Sequence, residues 1–219
     1  MARWGVLMDK REIGRRIRAQ NSGIVEERSC EKFGLKQVGG SRTKIDGIHL
    51  KDGKRWSIKN TQSRSTQVHL TTQKSFISHF KLKPLAQEFV NKFFGNQMFI
   101  NMPRQRYKID EIPVKAVEAF KVFLENHQNE FVDYVVGGKE GIDYVAYNDN
   151  ILSIQEIREA CAQAKWTYTN TAIHLKNKNG KTFFHIQMKG SGKGATYHGV
   201  LCHIHEHLFR TKDARCSTR

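Results

Sequence analysis

The sequence predicts a mixed α/β fold in which a mixed central β-sheet is flanked by helices. Three observations carry this: a strand–turn–strand pattern over residues 44–61, a capping box at Ser153 that opens a helix, and a second strand pair around Asn179-Gly180. The 219 residues suit a single domain over 1–209, beginning with a basic helix or arm, and a basic polar tail over 210–219.

Taken in order, residues 9–20 place basic side chains at helical spacing around Ile13 and Ile17, as on a surface helix or arm. Asn21-Ser22 offers an N-cap to a helix over 23–33, with Ile24, Val25 and Phe33 as buried positions and Gly34 as its stop. Gly39-Gly40-Ser41 interrupts the chain. Residues 44–50 and 55–61 then read as strands joined by Asp52-Gly53, a dipeptide that favours a two-residue type I′ turn. Residues 72–94 read as helical with a break at Pro84. Pro113 opens a helix carrying Val117, Phe120, Phe123 and Leu124. Residues 142–148 alternate like a strand, and Ser153-Ile-Gln-Glu156 begins a helix that runs to Lys165. Residues 166–176 and 182–189 pair across Asn179-Gly180, and 197–209 form the last strand.

Charge is the first functional clue. There are 37 Lys and Arg against 21 Asp and Glu, a formal net charge of +16. Such an excess favours a polyanionic partner, because each neutralised phosphate releases condensed counterions. Cys30, Cys161, Cys202 and Cys216 form no CxxC pair, so free thiols in a reducing, prokaryotic cytoplasm are expected rather than a disulfide framework. The apolar run at the N-terminus is too short for a signal peptide, and no stretch approaches a membrane span, so no membrane association is expected. The glycine-rich basic stretch Met188-Lys-Gly-Ser-Gly-Lys-Gly194 lacks the spacing of a nucleotide-binding P-loop.

The first hairpin carries the chemistry. A two-residue loop at Asp52-Gly53 places Asp46 directly opposite Lys59 and Ile48 opposite Ser57, all on one face. Ile45, His49, Trp56 and Ile58 take the other, buried face. An exposed Asp–Lys pair is commonly a plain ion pair worth about 0.2–1 kcal/mol. Its setting argues for more: Gly39-Gly40-Ser41 leads in, and the polar run Asn60-Thr-Gln-Ser-Arg-Ser-Thr-Gln67 follows.

Asp46, ten intervening residues and Ser57-Ile58-Lys59 resemble the PD-(D/E)xK nuclease motif. More narrowly, Gly39-Gly-Ser-Arg-Thr-Lys-Ile-Asp46 with Ser57-Ile-Lys59 and Ser63-x-Ser65 resembles the core of MspI-type restriction endonucleases, over about 30 residues. Ile45 stands where the motif has Pro, and Ser57 where it has an acid; the MspI-like branch likewise uses a neutral residue there. The resemblance implies a PD-(D/E)xK core and a type II restriction endonuclease, part of a restriction–modification pair. It would hydrolyse double-stranded DNA sequence-specifically with Mg²⁺ and leave 5′-phosphates.

On that reading Asp46 and the main-chain carbonyl of Ile58 hold the metal, Lys59 orients the attacking water and binds the scissile phosphate, and Ser57 touches metal-bound water. An early-helix carboxylate completes the set; Glu27 matches the G-x-x-x-E spacing from Gly23, with Glu26 and Glu31 as rivals. DNA contacts are expected from Asn60, Ser63, Arg64, Ser65 and Gln67, and from Lys189, Ser191, Lys193 and His198 around the glycine-rich stretch. A palindromic target favours a homodimer, although the MspI-like resemblance also admits a monomer. A repair or junction-resolving nuclease and a non-catalytic basic nucleic-acid-binding protein are the rival readings. His203, His205 and His207 alternate, so on a strand they share a face; zinc is thinkable, and DNA contact or packing is the preferred role.

Overall fold

The computed structural model describes residues 26–38, 44–59, 63–95, 107–137, 140–187 and 200–210. The proposed helix over 9–20, the Asn21-Ser22 cap, Gly39-Gly40-Ser41, Asn60 and the 188–199 stretch with Lys189, Ser191, Lys193 and His198 lie outside them.

The protein is mixed α/β, and its strands form two sheets rather than one central sheet. The chain is helical over 26–32 (α1) and then turns through Gly34, whose φ of +64° is the left-handed value a helix-terminating glycine takes readily. Strands β1 (Leu35–Gln37), β2 (Gly47–His49), β3 (Arg55–Lys59), β5 (Tyr144–Tyr147) and β6 (Asn150–Ser153) build the first sheet in the order β1-β2-β3-β5-β6. Only β3 and β5 run parallel. The second sheet is wholly antiparallel, in the order β4-β10-β9-β8-β7, from β4 (Ser65–Thr71), β7 (Lys165–Thr169), β8 (Ala172–Lys176), β9 (Thr182–Gln187) and β10 (Val200–His205).

Helices α2 (Gln73–His79), α3 (Pro84–Phe93), α4 (Val114–Asn126), α5 (Gln128–Val136) and α6 (Ile154–Ala162) supply the main core. The break at Pro84 is where proline starts α3, and Pro113 is the residue before α4 rather than its first. The Ser153–Glu156 capping box forms in full, and α6 ends at Ala162. The sequence predicts one strand over 166–176. The chain forms two instead, β7 from Lys165 and β8 to Lys176, because Thr169 Oγ1 accepts from the Ala172 N–H and closes a tight turn. The expected last strand stops at His205, and a short helix α7 (Glu206–Phe209) follows.

Alternation along the strands sorts two cores. Val145, Tyr147 and Leu152 of the first sheet join Phe76, Phe89, Phe120, Phe131 and the inner face of the second sheet. Trp56, Ile58 and Ala146 point the other way and pack with Cys30 of α1 and Leu35. Gly47 makes that second layer thin: a Cβ there would lie 3.0 Å from Leu35 Cβ and 3.3 Å from Cys30 Sγ. Its lack of a side chain therefore lets α1 and β1 close on the strand preceding the proposed site. Among the described residues no helix is long and apolar enough to cross a membrane.

Candidate active site

The hairpin register differs from the expected one by two residues. His49 donates to the Lys54 carbonyl at 2.8 Å and Gly53 donates back to the His49 carbonyl at 2.9 Å, so the loop spans four residues, 50–53. Asp52 stabilises it by accepting from Lys54 N–H and pairing with His49 Nδ1 at 2.7 Å, and Gly53 takes φ +70°. Gly47 then faces Trp56 and Ile48 faces Arg55, which carries Asp46 to Ser57 instead of Lys59. A slip of two preserves the side-chain alternation, so Asp46, Ser57 and Lys59 still share a face. Lys59 reaches Asp46 from the diagonal position.

The Asp46 carboxylate occupies the place of the next ladder acceptor. Its Oδ2 receives the Ile58 N–H at 2.6 Å, the Ser57 hydroxyl at 3.1 Å and Lys59 Nζ at 3.5 Å. Ser57 is the one buried polar residue of β3, and its hydroxyl serves as an orienting donor to Asp46, not as a solvent-facing group. Ile58 sends its side chain into the second core. Its backbone shares the orientation of Trp56, whose carbonyl accepts from Asp46 N–H, so the Ile58 carbonyl points along the same sheet edge as Asp46. Lys59 presents its own carbonyl to the Asn148 N–H of the neighbouring strand. Asp46 and Lys59 keep 16% and 21% of their side-chain surface, enough to meet a ligand and little enough to hold their positions.

The helical carboxylate at this site is Glu26. Glu27, chosen from its spacing to Gly23, is exposed, as is Glu31. Consecutive residues on a helix diverge by about 100°, so only one of Glu26 and Glu27 can meet the sheet. Glu26 lies against Asp46, within reach of a side-chain hydrogen bond to it. Its pKa is raised, first by burial, then by the Asp46 charge and that bond, with Lys59 opposing. Cys30, one helical turn further on, is pushed up to about 11 by burial and then by Glu26 and Asp46.

Lys44, the lysine of the Thr-Lys-Ile-Asp46 stretch in the resemblance, stands two residues before Asp46. Its Nζ donates to the Tyr134 carbonyl, lies 3.9 Å from Glu140 Oε1 and sits 5.1 Å from the Tyr134 ring centre. Burial lowers its pKa.

The proposed DNA contacts divide. Ser63 and Arg64 are exposed directly beyond the site, and their backbone is pinned: Tyr147 Oη donates to the Ser63 carbonyl at 3.1 Å and Glu206 N–H to the Arg64 carbonyl at 3.0 Å. Ser65 and Gln67 belong to edge strand β4, opposite His205 and His203. The polar run after β3 is thus partly the outer face of a second-sheet strand, an explanation by packing that its composition concealed. His203 and His205 share that outer face, whereas His207 lies on α7.

A hard divalent cation fits the donors present. Glu26 and Asp46 carboxylates, the Ile58 carbonyl edge and the Ser57 hydroxyl are all oxygen ligands, and Mg²⁺ commonly uses one or two carboxylates, leaving other positions to water and phosphate. Among the described residues no group of three or more His, Cys, Asp or Glu side chains could by itself hold a metal ion. The chain matches no known protein-family profile and no curated protein.

Proposed function

We propose that the protein is a Mg²⁺-dependent DNA endonuclease, and specifically a type II restriction endonuclease with a PD-(D/E)xK core that cuts double-stranded DNA at a defined sequence and leaves 5′-phosphates. The observation that carries this reading is the gathering of Glu26, Asp46 and Lys59 at one sheet edge. Two carboxyl groups lie against each other there, that of Glu26 with its pKa raised by burial and by Asp46, and an ammonium lies 3.5 Å from Asp46. A plain surface ion pair gives no reason to hold a second carboxyl against the first, since burying like charges together is costly.

Glu26, Asp46 and the Ile58 carbonyl would hold the metal. Mg²⁺, when bound, supplies positive charge to the scissile phosphate and lowers the pKa of water. The protein's own groups do the rest. Ser57 and the Ile58 N–H fix the Asp46 carboxylate, so it need not reorganise when a phosphate arrives. Lys59, on the same strand as Ser57, offers its ammonium to a phosphate oxygen and to the water that attacks in line. Arg64 and Ser63 stand at the end of the following segment, positioned to contact the DNA backbone.

The test is plasmid cleavage with and without Mg²⁺, alongside a binding assay. Discrete fragments are expected with the metal. Asp46→Asn and Lys59→Ala should each lower the cleavage rate by at least about a hundredfold, with DNA binding in Ca²⁺ changed by less than about threefold. Normal cleavage in either variant rejects this site; structure-dependent cuts favour a repair or junction nuclease; retardation without cutting favours a binding protein. The oligomeric state follows from sedimentation of the DNA complex: a palindromic target predicts a dimer.

A further inference from the structure

Helix α7 links the Asp46 site to a basic cleft. Tyr147 is the register partner of Lys59 on the neighbouring strand and shares its face. Its hydroxyl holds the Ser63 carbonyl, and its ring stacks on Phe209 of α7 with centres 5.0 Å apart. At the start of α7 the Glu206 N–H donates to the Arg64 carbonyl at 3.0 Å, and Arg210 closes the other end. Beyond α7 lies a cleft of about 470 Å³, bounded by the C-terminal end of α6, the β8–β9 turn and α7 itself. Lys178, Asn179 and Lys181 line its turn side, His207 and Arg210 its α7 side, and Glu159 its α6 side. Phe183 beneath them is buried.

The turn is fixed before any ligand arrives. Asn177 Oδ1 accepts from the Asn179 N–H at 3.0 Å and from the Lys181 N–H at 2.9 Å, and the Gly180 N–H donates to the Asn177 carbonyl at 2.9 Å. Ordering this loop therefore adds little to the cost of binding. Lys178 and Lys181 are exposed, and among the described residues neither forms an ion pair. Arg210 gives Nη2 to Glu206 at 2.9 Å, which leaves its other N–H donors for a second partner. Glu159 is the one carboxylate of the lining, and its Oε1 accepts from Gln155. Three cations against one carboxylate favour an anion. All three cations are exposed and spread over two elements, which suits the repeated phosphates of a strand better than one enclosed anion.

We propose that this cleft grips the phosphate backbone of the DNA flanking the cut. Lys178, Lys181 and Arg210 each meet a phosphate, and the Asn179 amide adds a neutral donor. This inference rests on the proposed reading, in which a duplex lies across Asp46 and Lys59. Glu206 and Arg210 are four residues apart, about 6 Å along the helix, or roughly two nucleotides at about 3.4 Å each. The backbone that passes Arg64 thus reaches Arg210 and the turn within a short stretch of the same duplex. Contacts of this kind set affinity and register and carry no base preference.

Lysine acetylation of the wild-type full chain, read by mass spectrometry with and without a mixed-sequence DNA duplex in Ca²⁺, tests the cleft without any variant. Lys178 and Lys181 should lose labelling when the duplex is present, and Lys115, exposed on α4, should not. The double variant Lys178→Ala, Lys181→Ala should bind the duplex about tenfold more weakly and lower the slope of log affinity against log salt by about two. Lys178→Arg with Lys181→Arg should restore both values. Because the two side chains are exposed, Tm should stay unchanged, which separates lost contacts from lost structure. Lysines that remain labelled in a complex that still cleaves plasmid overturn the cleft and leave the nuclease reading standing. Protected lysines in a protein that never cleaves do the reverse. An unaltered salt slope in the double alanine variant, or no binding of the duplex at all, also overturns the cleft.

Discussion

Asp46 is oriented by more donors than an ion pair requires. Ser57, Ile58 N–H and Lys59 all address one oxygen, and Glu26 approaches the same group from α1. Placing Glu26 in the site, instead of Glu27, yields a direct contrast between neighbouring residues. On the proposed reading, Glu26→Gln should slow cleavage by about tenfold to a hundredfold and raise the Mg²⁺ concentration needed, since a carboxylate ligand becomes a neutral amide. Glu27→Gln, on an exposed position, should leave both unchanged. Initial rates across a Mg²⁺ series decide it: equal effects of the two substitutions remove Glu26 from the site. The site's face was legible in the sequence because alternation survives a two-residue slip. Which glutamate faces the sheet was not, because that depends on helix phase, and neighbours on a helix diverge by about 100°.

At the scale of elements, the distance between α1 and β2 governs whether Glu26 reaches Asp46. Gly47 sets that distance, since a Cβ would press on Leu35 and Cys30. Gly47→Val should destabilise the fold by about 1–3 kcal/mol through overpacking, a fall in Tm of roughly 2–12 °C for a chain of this length. Cleavage, measured well below the lowered Tm, should drop with an increased Mg²⁺ requirement. A variant that loses stability and keeps wild-type metal dependence would separate α1 from the chemistry. Elements with strong local signals were legible: the Ser153 capping box and the Asn179-Gly180 turn form. Others lacked such signals. Asp-Gly suits both a two-residue turn and a longer loop ending in a left-handed glycine. Thr169–Ala172 turns without glycine or proline, and β4 is an edge strand whose polar outer face reads like a loop.

The whole molecule joins a thiol-bearing interior to a strongly basic chain, and each half has a measurable consequence. Cys161 and Cys202 are fully buried, and burial raises both thiols well above their ordinary range. The unfolded chain releases these protons near pH 9 while the folded chain retains them. Stability is therefore complete below about pH 8.5–9 and declines as pH rises beyond it, by up to about 1.4 kcal/mol per thiol per pH unit. Tm measured from pH 8 to 10.5 should fall, and the Cys161→Ala, Cys202→Ala double variant should fall less steeply; parallel slopes would remove the thiols as the cause. The net charge of +16 acts on association instead. If the basic excess serves a duplex, each neutralised phosphate releases counterions, and affinity must fall steeply with salt. For roughly six to ten phosphate contacts, DNA affinity should drop by about 10³–10⁵ between 50 and 200 mM salt. Arg64→Ala should reduce the slope of log affinity against log salt by about one, uniformly across DNA sequences. A slope near zero would mean that the charge does not serve DNA, and a sequence-dependent loss in Arg64→Ala would move that side chain from the phosphates to the bases.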